Sequence, residues 1–427
     1  MTRKLRTMTG AVLAAAAVLM TACSANPTTS TSDGEVSGSI RFSIWFGEGD
    51  REMWDKVIDD FESQNPGTEV AFEPLEYGAY WTRLNTQLAG GTAPDVIGMQ
   101  YQQGVLGPEG QLEPLGPSLG DDFAQVPETL LSAGITEVDG EDQQYALPWR
   151  FVGGSLYGNL SAMEAAGVEI PTEGWTVDEF LAAAQALTTD TTYGTSVPSL
   201  TMATSLESAF GAAPVSADGK TATYDTPQML EAKTFLRDLV WKYKVAPHPA
   251  DLSTQADPFA SGAVNMAFMG SWMSPVYRSI ENFDWDILPN PSGSVDAKNY
   301  AGPDMISVTT GSKNKALAEA FVEFIVFDQT AQELIGQTGA PVLTDYLNDP
   351  ARIEAEAAEK PSNYGYFVQQ ASDNGDPWTF ALPQSQELGK LEADADFKIL
   401  ASADSDIAGI LAELDTAAQA ELDSSNE

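Results

Sequence analysis

Two periodicities alternate along the chain between residues 39 and 97. Apolar Ile40, Phe42 and Ile44 alternate with polar neighbours and predict a strand over 39–46. Apolar positions then recur at helical spacing from Met53 to Phe61, and Asn65-Pro66-Gly67 ends the predicted helix. The order repeats, with a strand at 69–72, a helix carrying Trp81, Leu84 and Leu88, and a strand at 95–97.

Strands that alternate with helices across short connections predict an α/β fold, with a parallel or mixed sheet covered by helices on both faces. Ligands bind such sheets at the carboxyl ends of the strands, so we expect functional residues in the turns there. The second half has its own helix signals. These are a capping box at 176–179, a cap and N1 proline at Thr226-Pro227, an amphipathic stretch at 314–327 and an acidic, alanine-rich surface helix at 403–422.

The first residues have the features of an export signal. Arg3, Lys4 and Arg6 precede an apolar stretch, residues 11–20, that is too short to span a membrane as a helix. The segment 19–23 ends at Cys23, the only cysteine. It resembles the lipobox of bacterial lipoproteins, which implies that residues 1–22 are a lipoprotein signal peptide and that Cys23 is lipidated. An ordinary secretory signal with an unrelated cysteine is the alternative.

Composition divides the rest of the chain into a tether and a folded body. Residues 23–38 are small and polar, which predicts a flexible tether. The formal net charge is −41, and removal of the three positive charges in residues 1–22 makes it −44. This charge disfavours nucleic acid and polyanionic ligands, and its simplest interpretation is a soluble, colloidally stable surface.

The residue inventory disfavours most catalytic chemistry. His248 is the only histidine, lies between two prolines, and is interpreted as a surface loop residue. With one histidine and one cysteine, neither a catalytic pair nor a zinc or copper site is expected. No Walker A loop is present, and no pair of glycosidase carboxylates lies in a recognisable motif. We expect no cofactor and no metal, although a calcium ion held by scattered oxygens stays open.

Several motifs occur in an order that indicates a family. The helix ending in LAGGTAPDV is followed by Tyr145-Ala146-Leu147-Pro148-Trp149, by a glycine-rich strand at 154–159, by the segment 259–272 that ends in Gly270-Ser271-Trp272, and by 299–302. This order resembles the maltose-binding-protein type of extracellular solute-binding protein of carbohydrate ABC importers. The resemblance implies a type II periplasmic-binding-protein-like fold, α/β, with two discontinuous lobes joined by a hinge. Lobe 1 would comprise 39–147 and 302–341, lobe 2 would comprise 153–300 and 344–427, and the hinge crossovers would lie near 148–152 and 301–302.

Aromatic and planar polar side chains in turns are the candidates for ligand binding. Sugars present apolar faces rimmed by hydroxyl groups, so a sugar site needs flat aromatic surfaces beside hydrogen-bonding groups. Trp45 at a strand end and Tyr300 at the second crossover are candidates by position alone. The resemblance implies ligand contacts in the loops 47–50 and 99–103, at the first crossover, at Trp272 and at Trp378. The candidate site is therefore Trp45, Glu48, Asp50, Gln102, Trp149, Trp272, Tyr300 and Trp378. Two positions depart from the maltose pattern, since Asp50 replaces a lysine and Val152 replaces a glutamate. Trp54, Trp81, Trp241 and Trp285 are interpreted as core or lobe-packing residues.

The expected function is capture of a sugar or oligosaccharide by hinge closure and its delivery to an ABC permease with a separate ATPase. The protein would be a monomer on the outer face of the cytoplasmic membrane, held there only through lipidated Cys23, and would not be an enzyme. The alternatives are the same fold binding a polyamine, peptide or polyol, a surface hydrolase, or an adhesion lipoprotein.

Overall fold

The computed structural model describes residues 36–46, 50–116, 120–171, 174–198, 202–252, 257–295, 297–363, 375–376, 382 and 384–424. Residues 36–427 form a compact unit separate from residues 1–35. The strands are β1 Gly38–Ser43, β2 Thr68–Phe72, β3 Val96–Met99, β4 Ile135–Val138, β5 Glu141–Gln144, β6 Leu147–Asn159, β7 Met266–Gly270, β8 Trp285–Leu288, β9 Asn299–Val308 and β10 Gly375–Asp376.

Helices occupy most of the connections between strands. They are α1 Asp50–Gln64, α2 Tyr77–Ala89, α3 Gln103–Leu106, α4 Glu128–Leu131, α5 Leu160–Ala166, α6 Val177–Leu187, α7 Thr204–Ala209, α8 Pro227–Trp241, α9 Pro249–Leu252, α10 Ser274–Tyr277, α11 Lys315–Phe327, α12 Gln329–Ile335, α13 Thr344–Leu347, α14 Pro350–Ala357, α15 Ser385–Leu400 and α16 Ile407–Ser424. Short 3-10 turns lie at Gly120–Gln125, Ser132–Gly134 and Ser271–Met273. In the part of the chain that the structure describes, no helix combines the length and the apolar character that a membrane span requires.

The sheet is mixed, as predicted. β2, β1 and β3 are parallel neighbours, and β9 pairs antiparallel with β3. β6 pairs antiparallel with β9, then continues far enough to pair with β7 and β8 as well. β10 adds parallel to β9, while β4 and β5 form a separate hairpin. The long strands β6 and β9 therefore run side by side from one half of the molecule into the other.

The buried apolar residues form two separate cores. The first-lobe core takes its members from 40–149 and 305–343. The clusters that we call the second-lobe core take theirs from 152–301 and 388–422, together with Ala340. Along β6 the buried residues change from the first-lobe core to the second-lobe core between Trp149 and Val152. Along β9 the change lies between Ala301 and Met305. A chain that crosses more than once between cores is the arrangement of a two-lobe fold with discontinuous lobes.

The local predictions for the helices are confirmed. α1 buries Met53, Trp54, Val57, Ile58 and Phe61, the apolar stripe read from the sequence. Thr176 and Glu179 form the predicted capping box at the start of α6. Thr226 caps α8 with a proline in its first turn. The helical tail is also confirmed, but it is more than a surface helix, because α16 buries Leu411, Leu414 and Leu422 in the second-lobe core.

The tryptophans assigned to the core divide into two groups. Trp54, Trp81 and Trp285 are buried, as predicted. The prediction for Trp241 is wrong, because its side chain is 38% exposed. Trp241 is the last residue of α8, and its indole N–H donates to the carbonyl of Leu400 at 2.9 Å, so it caps the end of α15 instead of filling a core.

Candidate functional site

The carboxyl ends of β1 and β3 meet the middle of the two connecting strands. β3 pairs with β9 from Val96 to Met99, so the turn at 100–102 emerges beside Asp304. The pairing of β6 with β9 shifts register between Pro148 and Arg150. This bulge leaves Trp149 out of the ladder and reorients the residues that follow it. The turn at 100–102, which was predicted to carry ligand contacts, therefore lies beside the crossover between the lobes.

Arg150 lies at the centre of this region. Its side chain is buried, with 2% exposed, and its guanidinium lies 4.4 Å from the centre of the Trp149 ring. Nε donates to Asp304 Oδ2 at 2.8 Å, and Nη1 donates to Asp50 Oδ1 at 3.2 Å. Nη1 also donates to Thr338 Oγ1 at 3.1 Å. One buried cation is thus shared by two buried carboxylates, an arrangement in which each charge depends on the others.

The network continues from Asp304 to Tyr77 at the start of α2. Gln100 Nε2 donates to Asp304 Oδ1 at 3.2 Å, and the hydroxyl of Tyr77 donates to Gln100 Oε1 at 2.9 Å. Burial raises the pKa of the Asp304 carboxyl above its ordinary value, and Arg150 offsets this only in part. A chain of hydrogen bonds therefore connects half-exposed Tyr77 with the buried ion cluster.

Gln102 presents a buried donor at this edge. Its Oε1 accepts from the backbone N–H groups of Gln100 at 2.9 Å and Tyr101 at 3.2 Å, which fixes the side chain. Its Nε2 is buried and has no hydrogen-bond partner among the residues that the structure describes. A buried amide group without a partner costs stability, so such a group at a cleft edge is a candidate for binding a ligand.

The three aromatic candidates with described side chains lie in different surroundings. Trp45 is buried among Tyr77, Tyr80 and Trp81, with ring centres 5.6–5.7 Å away. Trp149 is also buried and packs on Trp54 at 4.8 Å. Both therefore belong to the first-lobe core.

Trp272 alone of these three is partly exposed and packs against the second-lobe core. A Cβ atom on Gly270 would overlap the indole carbons of Trp272, so the ring folds back over the glycine and needs its absent side chain. Tyr101, from the turn after β3, is half-buried and packs against the same second-lobe cluster. Tyr101 of the first lobe and Trp272 of the second thus both pack against the second-lobe core.

Several candidates fall where side chains are not described. Glu48, Trp378 and Cys23 lie outside the described residues. Tyr300 lies in β9, where its backbone pairs with Asp376 of β10. Among the residues that the structure describes, the acidic, histidine and cysteine side chains form no group of three that could hold a metal ion.

A surface depression of about 480 Å³ in the second lobe does not include these residues. It lies between Val168 and α6 and is lined in part by Trp175 and Glu179. The Trp175 indole donates to the Pro289 carbonyl at 2.8 Å, and Glu179 is engaged in its capping box. Trp175 and Glu179 thus already have partners within the protein.

Sequence reasoning missed the residues that organise the site, namely Arg150, Asp304, Gln100 and Tyr77. One signal was available. Arg150 stands between Trp149 and Phe151 in an otherwise apolar strand, and a buried arginine requires buried carboxylate partners. Those partners could not be chosen among 62 acidic residues without the fold.

Comparison with known proteins identifies the family. Residues 48–332 match the family model described as bacterial extracellular solute-binding protein. The chain belongs to this family. A lipoprotein of Streptomyces antibioticus is 26% identical over 367 residues, which cover 81% of this chain and 79% of the relative.

Two solved structures have the same fold as this solute-binding protein. An ABC substrate-binding protein of Listeria monocytogenes, in complex with cycloalternan, superposes with a TM-score of 0.80 at 23% identity, covering 89% of this chain and 98% of that one. The GacH receptor of Streptomyces glaucescens, solved unliganded and with acarbose, superposes with a TM-score of 0.79 at 22% identity. The match covers 91% of this chain and 99% of that one. The predicted type II two-lobe fold is confirmed, and the chain is a binding protein and not an enzyme.

Proposed function

We propose that this protein captures a sugar or oligosaccharide in the cleft between its lobes and delivers it to an ABC importer permease with a separate ATPase. Closure of the lobes around the ligand would shift the population toward the closed form, because the ligand contacts both lobes only there. The observation that carries the proposal is the buried, unpartnered Nε2 of Gln102 at the carboxyl end of β3, next to Tyr101, which like Trp272 packs against the second-lobe core.

The chemistry of this edge suits a carbohydrate. A rigid amide donor can bind a hydroxyl oxygen, while the aromatic rings can cover the apolar face of a sugar ring. The fold neighbours support the same class of ligand, since the Listeria protein was solved with cycloalternan and the Streptomyces receptor with acarbose, both oligosaccharides. Trp272, Gln102 and Tyr101 are therefore the proposed contacts with described side chains, and Glu48, Trp378 and Tyr300 stay predictions.

The position of Asp50 argues against a polyamine. Asp50, one of the acidic candidates in the first turn, accepts a hydrogen bond from Arg150 and is 3% exposed. Trp149 and Trp45 are likewise buried, and we assign all three to the support of the site instead of to direct contact. A polyol remains compatible with the site, because it presents the same hydroxyl groups without the ring face.

Anchoring is part of the same proposal. We propose that Cys23 is lipidated and holds the protein, as a monomer, at the outer face of the cytoplasmic membrane. The lipobox-like segment before Cys23 supports this, and so does the similarity to the Streptomyces lipoprotein. The proposed lobes are 39–147 with 302–341 and 153–300 with 344–427, and the two observed cores support that division.

Thermal unfolding of residues 36–427, which form a compact unit, tests the ligand class. The panel contains mono- and oligosaccharides, polyols, polyamines and short peptides. A ligand that binds only the folded state stabilises it by about 2.7 kcal/mol at a hundredfold excess over Kd. We expect stabilisation by a group of oligosaccharides. Stabilisation by a polyamine or peptide alone would refute the carbohydrate assignment and leave the fold unaffected.

A further inference from the structure

Arg150 contacts three segments of the chain near the boundary between the lobes, namely β6, β9 and the segment that follows α12. It lies on β6 itself, its Nε donates to Asp304 on β9 at 2.8 Å, and its Nη1 donates to Thr338 at 3.1 Å on the third segment. Gly339 leaves room for this contact, because a Cβ atom there would lie 3.1 Å from Arg150 Cδ. A single side chain thus joins these three segments near the boundary between the lobes.

The groups bound by Arg150 all belong to the first lobe. Asp50 opens α1, whose Met53 and Trp54 lie in the first-lobe core. Thr338 Oγ1 donates to the Ile335 carbonyl at 3.2 Å, and Ile335 belongs to the same core. Asp304 precedes Met305, another member. The ion cluster is therefore fixed on the first lobe.

On β6 the second lobe begins one residue after Arg150. Phe151, Ala301 and Ala340 pack with the second-lobe core. Phe151 and Ala340 exchange two backbone hydrogen bonds of 2.8 Å, so these two segments are held together there. The boundary between the lobes thus falls between Arg150 and Phe151 on the first strand, and between Ala301 and Asp304 on the second.

We propose that Arg150 is a positioning residue of the ligand site. It fixes the first-lobe ends of the connecting segments, so that lobe movement is confined to residues 151–153 and 301–303. Both stretches contain a glycine, Gly153 and Gly302, which gives the backbone freedom to bend. Through Asp50 the same guanidinium holds the start of α1, and through Asp304 and Gln100 it holds the turn at 100–102, in place for ligand. The ligand-binding part of this proposal rests on the proposed function, whereas the hinge part does not.

Distance measurements between the lobes test the hinge part. Residues 36–427 contain no cysteine, so spin labels at D59C on α1 and E164C on α5, both exposed, give one interlobe distance. The measurement is made without ligand for the parent and for two variants. R150K keeps the positive charge but loses the forked set of guanidinium donors. T338V removes one hydrogen bond to Arg150. The matched control is R41K, since Arg41 binds Glu73 with two hydrogen bonds on β1, within the first lobe.

We expect R150K and T338V to broaden the interlobe distance distribution, R150K more than T338V, and to lower the affinity for the oligosaccharide found in the panel, about tenfold for R150K. R41K should leave both unchanged. Parent-like distances in folded R150K and T338V would overturn the proposal. Lower affinity of R150K with unchanged distances would also overturn it, because it would indicate direct contact with ligand. If no ligand is found, the proposed function fails, but the distances still decide the hinge part.

Discussion

Lys233 and Asp396 join helices α8 and α15 through an ion pair that is buried in the second lobe. Lys233 Nζ lies 2.7 Å from Asp396 Oδ1, and only 1% of the lysine side chain is exposed. Glu207 on α7 and Glu392 on α15 lie 2.6 and 3.0 Å from the same nitrogen. Burial by itself would lower the pKa of Lys233, but the three carboxylates outweigh burial and raise it well above its ordinary value.

Removal of the lysine should destabilise the second lobe. In K233M the acidic side chains of Glu207, Glu392 and Asp396 lose the buried cation that they share. Loss of one partner of a buried pair typically costs about 3–5 kcal/mol. Chemical denaturation measures this as a lower midpoint. The control K242M removes a largely exposed lysine near the end of α8 and should change the free energy of unfolding by less than about 0.5 kcal/mol. Equal effects of the two variants would contradict the assigned role of the cluster.

The cluster around Lys233 also predicts that the stability of the folded protein depends on pH. Burial raises the pKa of Glu207 to about 8 from 4.5, and Lys233 only partly offsets this. Between these two pH values, Glu207 therefore holds a proton in the folded state that it has already released in the unfolded chain. This contribution to stability is complete below pH 4.5, decreases above it, and is lost as the pH rises through about 8.

Thermal unfolding between about pH 5 and 9 checks this dependence. E207Q, which stays neutral, should show a smaller loss of stability with rising pH than the parent chain. E164Q on the exposed surface of α5 serves as the control and should follow the parent. An unchanged pH profile in folded E207Q would exclude Glu207 as the titrating group.

Gly270 and Trp272 should act as one unit in ligand binding. A methyl group at Gly270 would overlap the indole, so G270A must displace the ring that the proposal places against the sugar. We expect W272A and G270A each to weaken binding about tenfold, or about 1.4 kcal/mol, in calorimetric titrations. Parent affinity in W272A would refute the role of Trp272. Loss in W272A without loss in G270A would show that the position of the ring over the glycine is unimportant.

Gln102 should contribute through its amide donor. Q102E keeps an oxygen that accepts hydrogen bonds from the backbone N–H groups of Gln100 and Tyr101, so the fold should persist. It replaces the Nε2 donor with a second oxygen. We expect sugar affinity to fall by about 1–3 kcal/mol, because a ligand acceptor loses its partner. Q64E introduces the same charge on the exposed face of α1 and should bind normally. Tighter binding of a polyamine by Q102E would favour a cationic ligand instead.

Cys23 should determine where the protein resides. In a bacterial host, C23S should move the protein from the membrane fraction to the soluble or secreted fraction, because lipidation requires the thiol. S24A next to it should remain with the membrane. Membrane association of C23S would contradict the lipid anchor. It would not bear on the proposed binding function.

Much of the architecture was predictable because it depends on local patterns. Alternating and helical periods located β1, α1, β2, α2 and β3, since burial of one face requires apolar residues at fixed spacing. The capping box at Thr176 and the proline at 227 located helix starts, because capping is satisfied within one turn. Trp241 was misassigned, since the pattern of α8 does not reveal that α15 ends beside it.

The candidate site was only partly predictable for the same reason. Position after a strand indicated that Gln102 and Asp50 lie near one another, but it did not distinguish a ligand contact from a buried support. Asp50, Trp45 and Trp149 have the sequence features of cleft residues, yet the fold buries them. Burial depends on which distant elements cover a turn, and one sequence alone does not contain that information.

The sequence by itself determined the elements of this protein, the order of its two lobes and the class of molecule to which it belongs, because periodicity, capping and motif order are properties of neighbouring residues. Only the tertiary structure decided how the lobes are joined. Arg150 finds its partners 100, 154 and 188 residues away, at Asp50, Asp304 and Thr338. A buried guanidinium must be neutralised by whichever carboxylates the completed fold brings within hydrogen-bonding distance.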